Sequence, residues 1–163
     1  MFPQPPRWMI EGHWLSVRRN DPRAYGLWQR HYSAQKNWRW RAIGCTEFMG
    51  PGETMVLLSA CERAVCLAAL FAWQRNTIAR LDGQSGVCCT VFRNESQVLS
   101  SELIREADTL AWRRWPGQRH FTYVDDAKVR HKRDPGRCFL RAGWRVCGRN
   151  ADGRLTLLER EAC

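Results

Sequence analysis

The feature that most constrains the fold is a run of six nearly all apolar residues at positions 87–92, Val-Cys-Cys-Thr-Val-Phe. A strand with one face in solvent alternates apolar and polar residues, whereas a central strand buried on both faces does not. The run therefore predicts a central strand. Residues 99–112 then place Leu99, Leu103, Ile104, Ala107, Leu110 and Ala111 on one face of an amphipathic helix. Ser96 or Ser100 is expected to cap this helix, and Pro116-Gly117 is expected to end it.

The remaining elements follow from the same reading of period and turn residues. A helix is predicted over residues 25–40, because Leu27, Trp28, His31 and Tyr32 cluster at helical spacing. Further strands are predicted at residues 55–59, 65–73, 120–124, 144–147 and 155–158, with a short helix around Phe139 and turns at Pro51-Gly52, Asp82-Gly83 and residues 150–153. The pattern alone predicts a mixed α+β domain.

The chain of 163 residues fits one compact domain, and a hydrophobic content of 44% is sufficient for a core. Residues 1–24 are rich in Pro, Arg and Trp without sustained periodicity, which predicts an irregular or partly helical arm. Residues 25–163 are predicted to form the domain itself. The apolar strands are compatible with a closed monomer or with a sheet shared in a homodimer.

Cysteine usage and the absence of long apolar runs indicate the cellular compartment in which the protein is expected. No run is long enough to span a bilayer, and the N-terminus lacks a basic region followed by an apolar one, so no membrane or secretory role is expected. The eight cysteines contain no C-x-x-C spacing. They are therefore expected to be reduced thiols in the cytoplasm, and their spacing does not predict a zinc site.

The net charge of +10 is concentrated in two segments. Residues 1–41 carry eight basic and two acidic side chains, and residues 128–149 carry eight and one. Arginines that alternate with tryptophan can stack on bases and bind phosphates, which favours a nucleic-acid partner, although a solvated basic surface or core tryptophans explain the same pattern. The candidate DNA contacts are Arg39, Arg41, Arg113, Arg114, Lys128, Arg130, Lys132 and Arg133, interleaved with Trp38, Trp40 and Trp115.

A family resemblance rests on two blocks of the second half of the chain. The strand 120–125 reads His-Phe-Thr-Tyr-Val-Asp, and after a basic linker residues 138–144 read Cys-Phe-Leu-Arg-Ala-Gly-Trp. This layout resembles N-acetyltransferase-like (GNAT) folds and, more narrowly, the Mom-like DNA-modification proteins of bacteriophages. The resemblance implies an α+β GNAT-like single domain with a central mixed, mostly antiparallel sheet flanked by helices. It also implies a location in the host cytoplasm if the chain is encoded by a phage.

The resemblance also implies roles for individual residues. Mom-like proteins show an arginine after the strand and a serine near the helix start, and Arg93 with Ser100 or Ser101 fits those places. These residues are expected to position the donor, although a strand-end arginine and a helix cap explain them as well. Asp125 ends a predicted central strand, where it is expected to act as general base, metal ligand or orienter of the acceptor amine. The alternative is a turn aspartate that accepts from backbone amides.

Residues 31–33, His-Tyr-Ser, resemble a segment near the N-terminus of Mom-like proteins. His31 and Tyr32 together with Asp125 offer the N and O ligands that non-haem iron favours, and packing or capping is the alternative. The candidate catalytic residues are thus Asp125, His31, Tyr32, Ser101 and Tyr123.

Two departures from the acetyltransferase pattern stand out. Residues 92–101, where a glycine-rich loop normally binds the pyrophosphate of acetyl-CoA, contain no glycine. Phe139 stands where acetyltransferases and Mom-like proteins often carry a tyrosine as general acid. Either Tyr123, Cys138 or another group replaces it, or the reaction needs no acid at that point.

The function predicted first is a phage-type transferase that places an acyl-like or carbamoylmethyl-like group on a base amine and so protects DNA from restriction. The acceptor would be adenine N6 or an aminomethyl-type pyrimidine, and the donor acetyl-CoA or a related compound. The alternatives are an acyl-CoA N-acyltransferase that acts on a protein, tRNA or small amine, and a non-enzymatic DNA-binding protein on the same scaffold.

Overall fold

The computed structural model describes residues 10–36, 45–59, 68–128 and 134–163. Within these ranges eight strands form one sheet in the order β1-β2-β3-β4-β5-β6-β8-β7. The strands are β1 (Ile10–Glu11), β2 (Trp14–Val17), β3 (Glu53–Ser59), β4 (Ala69–Arg75), β5 (Val87–Asn94), β6 (His120–Asp125), β7 (Arg145–Arg149) and β8 (Leu155–Arg160). The helices are α1 (Pro22–Gln29), α2 (Ser100–Arg114) and α3 (Arg137–Arg141), with a 3-10 turn at Tyr32–Lys36 after α1.

Helices cover both faces of the sheet. In β3 alternate side chains point to opposite sides, so that Val56 and Leu58 pack with α1 while Met55 and Leu57 pack with α2 and α3. This double burial explains why the central strands are almost uniformly apolar. All neighbouring strands are antiparallel except β5 and β6. The predicted mixed, mostly antiparallel sheet flanked by helices is confirmed.

The parallel pair β5 and β6 separates after a short contact. The two strands are paired at Val87–His120 and Cys88–Phe121, and the Thr122 hydroxyl then donates to the Cys89 carbonyl at 2.8 Å. Helix α2 connects the strands, while β5 stays paired with β4 along its length up to Asn94. The later residues of β5 therefore have no strand neighbour on the β6 side, and a wedge opens between the two strands.

A buried carboxylate connects α2 to β6, to β8 and to the residue before β7. Asp108, fully buried, accepts from His120 Nδ1 at 2.7 Å, from Trp144 Nε1 at 3.0 Å and from Arg160 Nη1 at 2.7 Å. Burial lowers the pKa of His120, whose ring stacks on Trp112. These contacts fix the angle of α2 over the strands, and with it the position of the N-terminus of α2 beside the wedge.

The expectation of an irregular or partly helical arm is wrong for residues 10–17, whereas residues 22–24 are helical. Strands β1 and β2 form a hairpin, and β2 pairs with β3. Trp14 is 1% exposed and donates from Nε1 to the Leu103 carbonyl at 2.8 Å, so the hairpin belongs to the core. Residues 1–9 lie outside the described residues.

The helix predicted over residues 25–40 starts earlier and ends earlier. Asp21 accepts from the N–H groups of Arg23 and Ala24, and Pro22 occupies the first helical position, so α1 begins there. It ends at Gln29, and residues 37–40 lie outside the described residues.

The other predicted helices and strands are present, with bounds shifted by a few residues; β4 begins at Ala69, and residues 60–67 are not described. The predicted side-chain cap of α2 is wrong: Leu99 occupies the cap position, since Ser100 lies inside the first turn. Among the described residues no helix is long and apolar enough to cross a bilayer.

Candidate functional site

The wedge between β5 and β6 forms a cleft with a volume of about 730 Å³. Strand β5 contributes one wall from Cys89 onward, and β6 contributes the facing wall at Thr122 and Val124. The other walls come from the 3-10 turn, the first turn of α2, and α3. The lining polar residues include His31, Tyr32, Arg93, Asn94, Ser100, Ser101, Tyr123, Lys128, Arg137, Cys138 and Arg141.

The cleft is strongly cationic. Four basic residues line it, namely Arg93, Lys128, Arg137 and Arg141. None of the described residues that line the cleft carries a carboxylate. Of these four side chains, only Arg93 forms an ion pair within the described residues. Charges of one sign in a cleft with low-dielectric walls reinforce each other's field, so this arrangement favours an anionic ligand.

Helix α2 adds a partial positive charge to the same cleft. The first N–H groups of a helix lack intrahelical partners, and Ser100 and Ser101 of this turn line the cleft, with Ser101 buried. The loop before α2 contains no glycine and is held by Asn94, whose Nδ2 donates to the Val98 carbonyl and to the Ser100 hydroxyl. The N-terminus of α2 can therefore bind an anion, although no glycine-rich loop precedes it.

Arg93 connects β5 to the end of α1. Its Nε donates to Glu95, and its Nη1 donates to the Arg30 carbonyl at 2.8 Å. The Arg30 guanidinium pairs with the same Glu95 carboxylate at 2.7 Å. Arg93 thus lies at the predicted donor site, but two of its nitrogens hold the surrounding backbone and side chains.

The rings of His31 and Tyr32 line the cleft in tilted contact, with ring centroids 4.3 Å apart and 30° between their planes. The Ser33 N–H donates to His31 Nδ1 at 3.2 Å, so Nδ1 is an acceptor and the neutral ring carries its proton on Nε2. Burial lowers the pKa of His31 to about 4, helped by the nearby Arg93 guanidinium. At neutral pH His31 is therefore a neutral hydrogen-bond donor at Nε2.

The Tyr32 hydroxyl lies next to the end of β6. Its oxygen accepts from the Asp125 N–H at 3.5 Å, which leaves its own proton free to donate to another acceptor. Burial raises the pKa of Tyr32, and the Asp125 carboxylate adds to this increase. The side chain is therefore a protonated donor over the physiological pH range.

Asp125 does not line the cleft with the other predicted residues. Its Oδ1 accepts from the Ala127 N–H at 3.1 Å, as expected of a turn aspartate. Its backbone holds Tyr32, as described above. The neighbouring Asp126 pairs with Arg149 at 2.8 Å and accepts from Thr156, away from the cleft.

The predicted iron ligands do not share the cleft. His31 and Tyr32 line it, whereas Asp125 does not, and Asp125 Oδ1 accepts from Ala127 within its own turn. Burial also raises the pKa of Tyr32, which disfavours the phenolate that would bind iron. We therefore derive no step through iron.

The candidates to replace the missing tyrosine at position 139 occupy different environments. Phe139 is buried against Phe71 and Trp144. The Tyr123 hydroxyl donates to Asp82 at 3.1 Å, on the sheet face away from α2, so it is already engaged. Cys138 is half-buried and lines the cleft.

The predicted DNA contacts are only partly described. Arg39, Arg41, Arg130, Lys132 and Arg133, like Trp38 and Trp40, lie outside the described residues. Lys128 is exposed and lines the cleft.

Arg113 and Arg114 are at the other end of α2, which has 15 residues. At about 1.5 Å per residue they lie roughly 20 Å from the cleft. Arg114 donates to the Thr54 carbonyl at 2.6 Å and covers the Trp115 ring. Trp115 is buried and donates to Glu53, which agrees with its interpretation as a core residue and leaves no face for a base.

Sequence reasoning missed Arg137 and Arg141 as residues of the site. They were counted only within the basic segment 128–149. Their spacing of four residues puts them on one side of a single helical turn, and Gly136 with φ of 74° begins that turn. The available signal was the position of Arg141 within residues 138–144, which carry the family resemblance, and of Arg137 immediately before them.

A solved structure has the same fold as this chain. The aminoglycoside acetyltransferase AAC(6')-Ib, in complex with coenzyme A and kanamycin, superposes with a TM-score of 0.61 over 91% of this chain and 94% of that one, at 12% identity. The predicted GNAT-like fold is thereby confirmed. No family model and no curated protein matches the sequence. The narrower resemblance to Mom-like proteins stays a prediction.

Proposed function

We propose that this protein transfers an acyl-type group from a coenzyme A-type donor to an amine of a nucleic acid, with a DNA base as the acceptor. The observation that carries the proposal is the cationic cleft between β5 and β6. Lys128, Arg137 and Arg141 have no ion-pair partners among the described residues, and the N-terminus of α2 lies beside them. The same fold holds coenzyme A in the acetyltransferase structure.

The donor fits the residues of the cleft. Its phosphates are anions that Lys128, Arg137, Arg141 and the first N–H groups of α2 can neutralise. The residues of β5 after Cys89 lack a neighbour on the β6 side, so their free backbone groups can pair with the amides of an extended donor arm. The absence of glycine before α2 is compensated in this proposal by the side-chain cations.

The transfer requires one bond to form and one to break. The acceptor nitrogen bonds to the donor's carbonyl carbon and releases a proton to solvent. The carbon–sulfur bond breaks, the thiolate takes the Tyr32 proton, and solvent then reprotonates Tyr32. Tyr32 is the proposed proton donor to the thiolate, because its hydroxyl oxygen accepts from Asp125 and its proton is free. His31, neutral with its proton on Nε2, is the proposed hydrogen-bond donor to the carbonyl oxygen.

Asp125 takes a changed role in this proposal. Its N–H holds Tyr32, and one carboxylate oxygen is bonded within its own turn. It is thus a positioning residue rather than the base that the sequence suggested. We expect an Asp125→Ala variant to retain more activity than Tyr32→Phe, because the N–H remains. A pH profile of kcat like that of the unsubstituted protein separates this role from that of a general base.

The charge of the chain favours an anionic acceptor. The donor phosphates neutralise cations of the cleft, and none of the described lining residues is a carboxylate that could bind a polyamine. The net charge of +10 attracts a nucleic acid. The second candidate is N-acylation of a small molecule, which the fold of an aminoglycoside acetyltransferase favours.

Mass spectrometry of nucleosides from DNA of expressing cells tests this function. We expect a new adduct on one base, reduced about 100-fold or more by Tyr32→Phe, the lower range for loss of a general acid. Arg154→Gln, a change in the exposed β7–β8 turn, is the matched control and should leave the adduct unchanged. The assay is repeated on DNA that contains aminomethyl-type pyrimidines. Acylation of small amines by acyl-CoA without any nucleoside adduct would contradict the nucleic-acid acceptor.

A further inference from the structure

A second group of chemically reactive side chains lies outside the cleft, where the N-terminal hairpin meets α2. His13 Nδ1 is 3.1 and 3.3 Å from the two carboxylate oxygens of Glu106. Glu102 stands one turn earlier on the same helix, and one ligand atom from each of the three residues lies within 4.8 Å of the other two. The group combines one imidazole with two carboxylates.

The backbone at Gly12 leaves room for the Glu106 carboxylate beside His13. Gly12, between β1 and β2, has φ of 53°, and a Cβ at this position would collide with the Glu106 carboxylate. The His13 N–H donates to Glu106 Oε2 at 3.1 Å. Trp14, the next residue, is buried and bonded to the Leu103 carbonyl, so both segments that carry the three side chains are held by the core.

The separation of His13 and Glu106 suits a small divalent cation. Bonds of about 2.0–2.1 Å from zinc to nitrogen and oxygen give about 3.4 Å between two ligands of a tetrahedral site. The separations between His13 Nδ1 and the Glu106 oxygens are close to this value. Glu102 is exposed, and its carboxylate makes no hydrogen bond or ion pair with the described residues, so its side chain can complete the set.

We propose that His13, Glu102 and Glu106 form a zinc-binding site that fastens the N-terminal hairpin to α2. One imidazole with two carboxylates and a water is a ligand set that zinc accepts, whereas calcium and magnesium prefer oxygen ligands alone. The cysteine spacing that argued against zinc in the sequence does not bear on this site. The proposal is independent of the donor cleft and of the transferase activity.

The test is a zinc titration of the full chain by calorimetry, with Glu102→Gln as the diagnostic variant. This change keeps the side-chain shape and removes no hydrogen bond of the described residues, so the fold is retained. We expect one zinc per chain and an affinity at least about tenfold lower in Glu102→Gln, since loss of a second-shell partner alone already reaches that range. Glu161→Gln, an exposed glutamate after β8, is the control and should bind zinc normally.

A cobalt-substituted sample identifies the ligands without reference to activity. We expect d–d bands without thiolate charge-transfer absorption, and we expect Glu102→Gln to remove them. Zinc binding of equal strength in Glu102→Gln, cobalt spectra with thiolate bands, or equal affinity for magnesium would overturn the proposal. Failure of zinc to bind would do the same.

Discussion

The protonation state of His31 is set by its immediate surroundings. Ser33 donates to Nδ1, burial disfavours the charged ring, and the Arg93 guanidinium adds repulsion, so the pKa falls from 6.5 to about 4. A residue that was predicted as catalytic from a three-residue segment is thus a neutral donor rather than a base. The segment 31–33 singled out His31 as a candidate. Its protonation state depends on burial and on the nearby Arg93 guanidinium, and both are determined by the fold.

The lowered pKa of His31 predicts a loss of stability in acid. The unfolded chain takes up a proton near pH 6.5, whereas the folded protein does so only near pH 4. The stability is therefore complete above pH 6.5 and falls as the pH drops toward 4. At pH 5 the expected loss is about 2 kcal/mol. His31→Asn should remove this part of the pH dependence, as measured by urea unfolding at pH 7.5 and pH 5.

His120 is also buried with a lowered pKa and contributes to acid destabilisation in both proteins. The test therefore compares how far the free energy of unfolding falls between pH 7.5 and pH 5 in the two proteins. If unsubstituted protein and His31→Asn lose the same free energy of unfolding between these pH values, the account of His31 is wrong.

At the scale of secondary structure, the hairpin of β1 and β2 is the element that local sequence did not reveal. Strand β2 has four residues, too few for a clear alternation, and its partner β3 is about 40 residues away in the chain. By contrast α2 and β5 were predicted within two residues of their bounds, because their apolar patterns are long. Pairing between distant segments, rather than local propensity, made a strand of residues 14–17.

The hairpin's place in the core predicts a large effect for Trp14→Ala. This change removes a side chain that is 1% exposed and a hydrogen bond to α2. We expect the free energy of unfolding to fall by about 3–5 kcal/mol in urea denaturation. Val146→Ala, at a position that is 54% exposed on β7, should change it by less than about 0.5 kcal/mol. A loss below about 1 kcal/mol for Trp14→Ala would restore the interpretation of this segment as a loosely attached arm.

Across the whole molecule, the arginines divide into two groups. Most of the described arginines outside the cleft are ion-paired, as Arg80 is with Asp82 and Arg119 with Glu159. Arg137 and Arg141 lack such partners among the described residues and line the cleft. A large part of the positive charge that the sequence displays is therefore neutralised locally, while the cleft retains unneutralised cations.

This division explains the limits of the sequence-based prediction of the site. The sequence revealed two basic segments and several residues that the fold brings to one cleft, among them His31, Tyr32, Ser101 and Lys128. It could not reveal the cleft itself, which exists because β5 and β6 separate after two paired positions. Nor could it show every arginine that finds a carboxylate, since pairs such as Arg119 with Glu159 and Arg149 with Asp126 join residues distant in the chain.

The central claim is that the unneutralised cations of the β5–β6 cleft bind a phosphate-bearing donor. Calorimetric titration with coenzyme A tests it most directly, on unsubstituted protein, Arg141→Gln and the control Arg154→Gln. We predict binding that weakens with salt and falls roughly tenfold or more in Arg141→Gln, the value of one charge-assisted hydrogen bond, with no change in Arg154→Gln. Absence of binding, or equal affinity in Arg141→Gln and the unsubstituted protein, would contradict the claim.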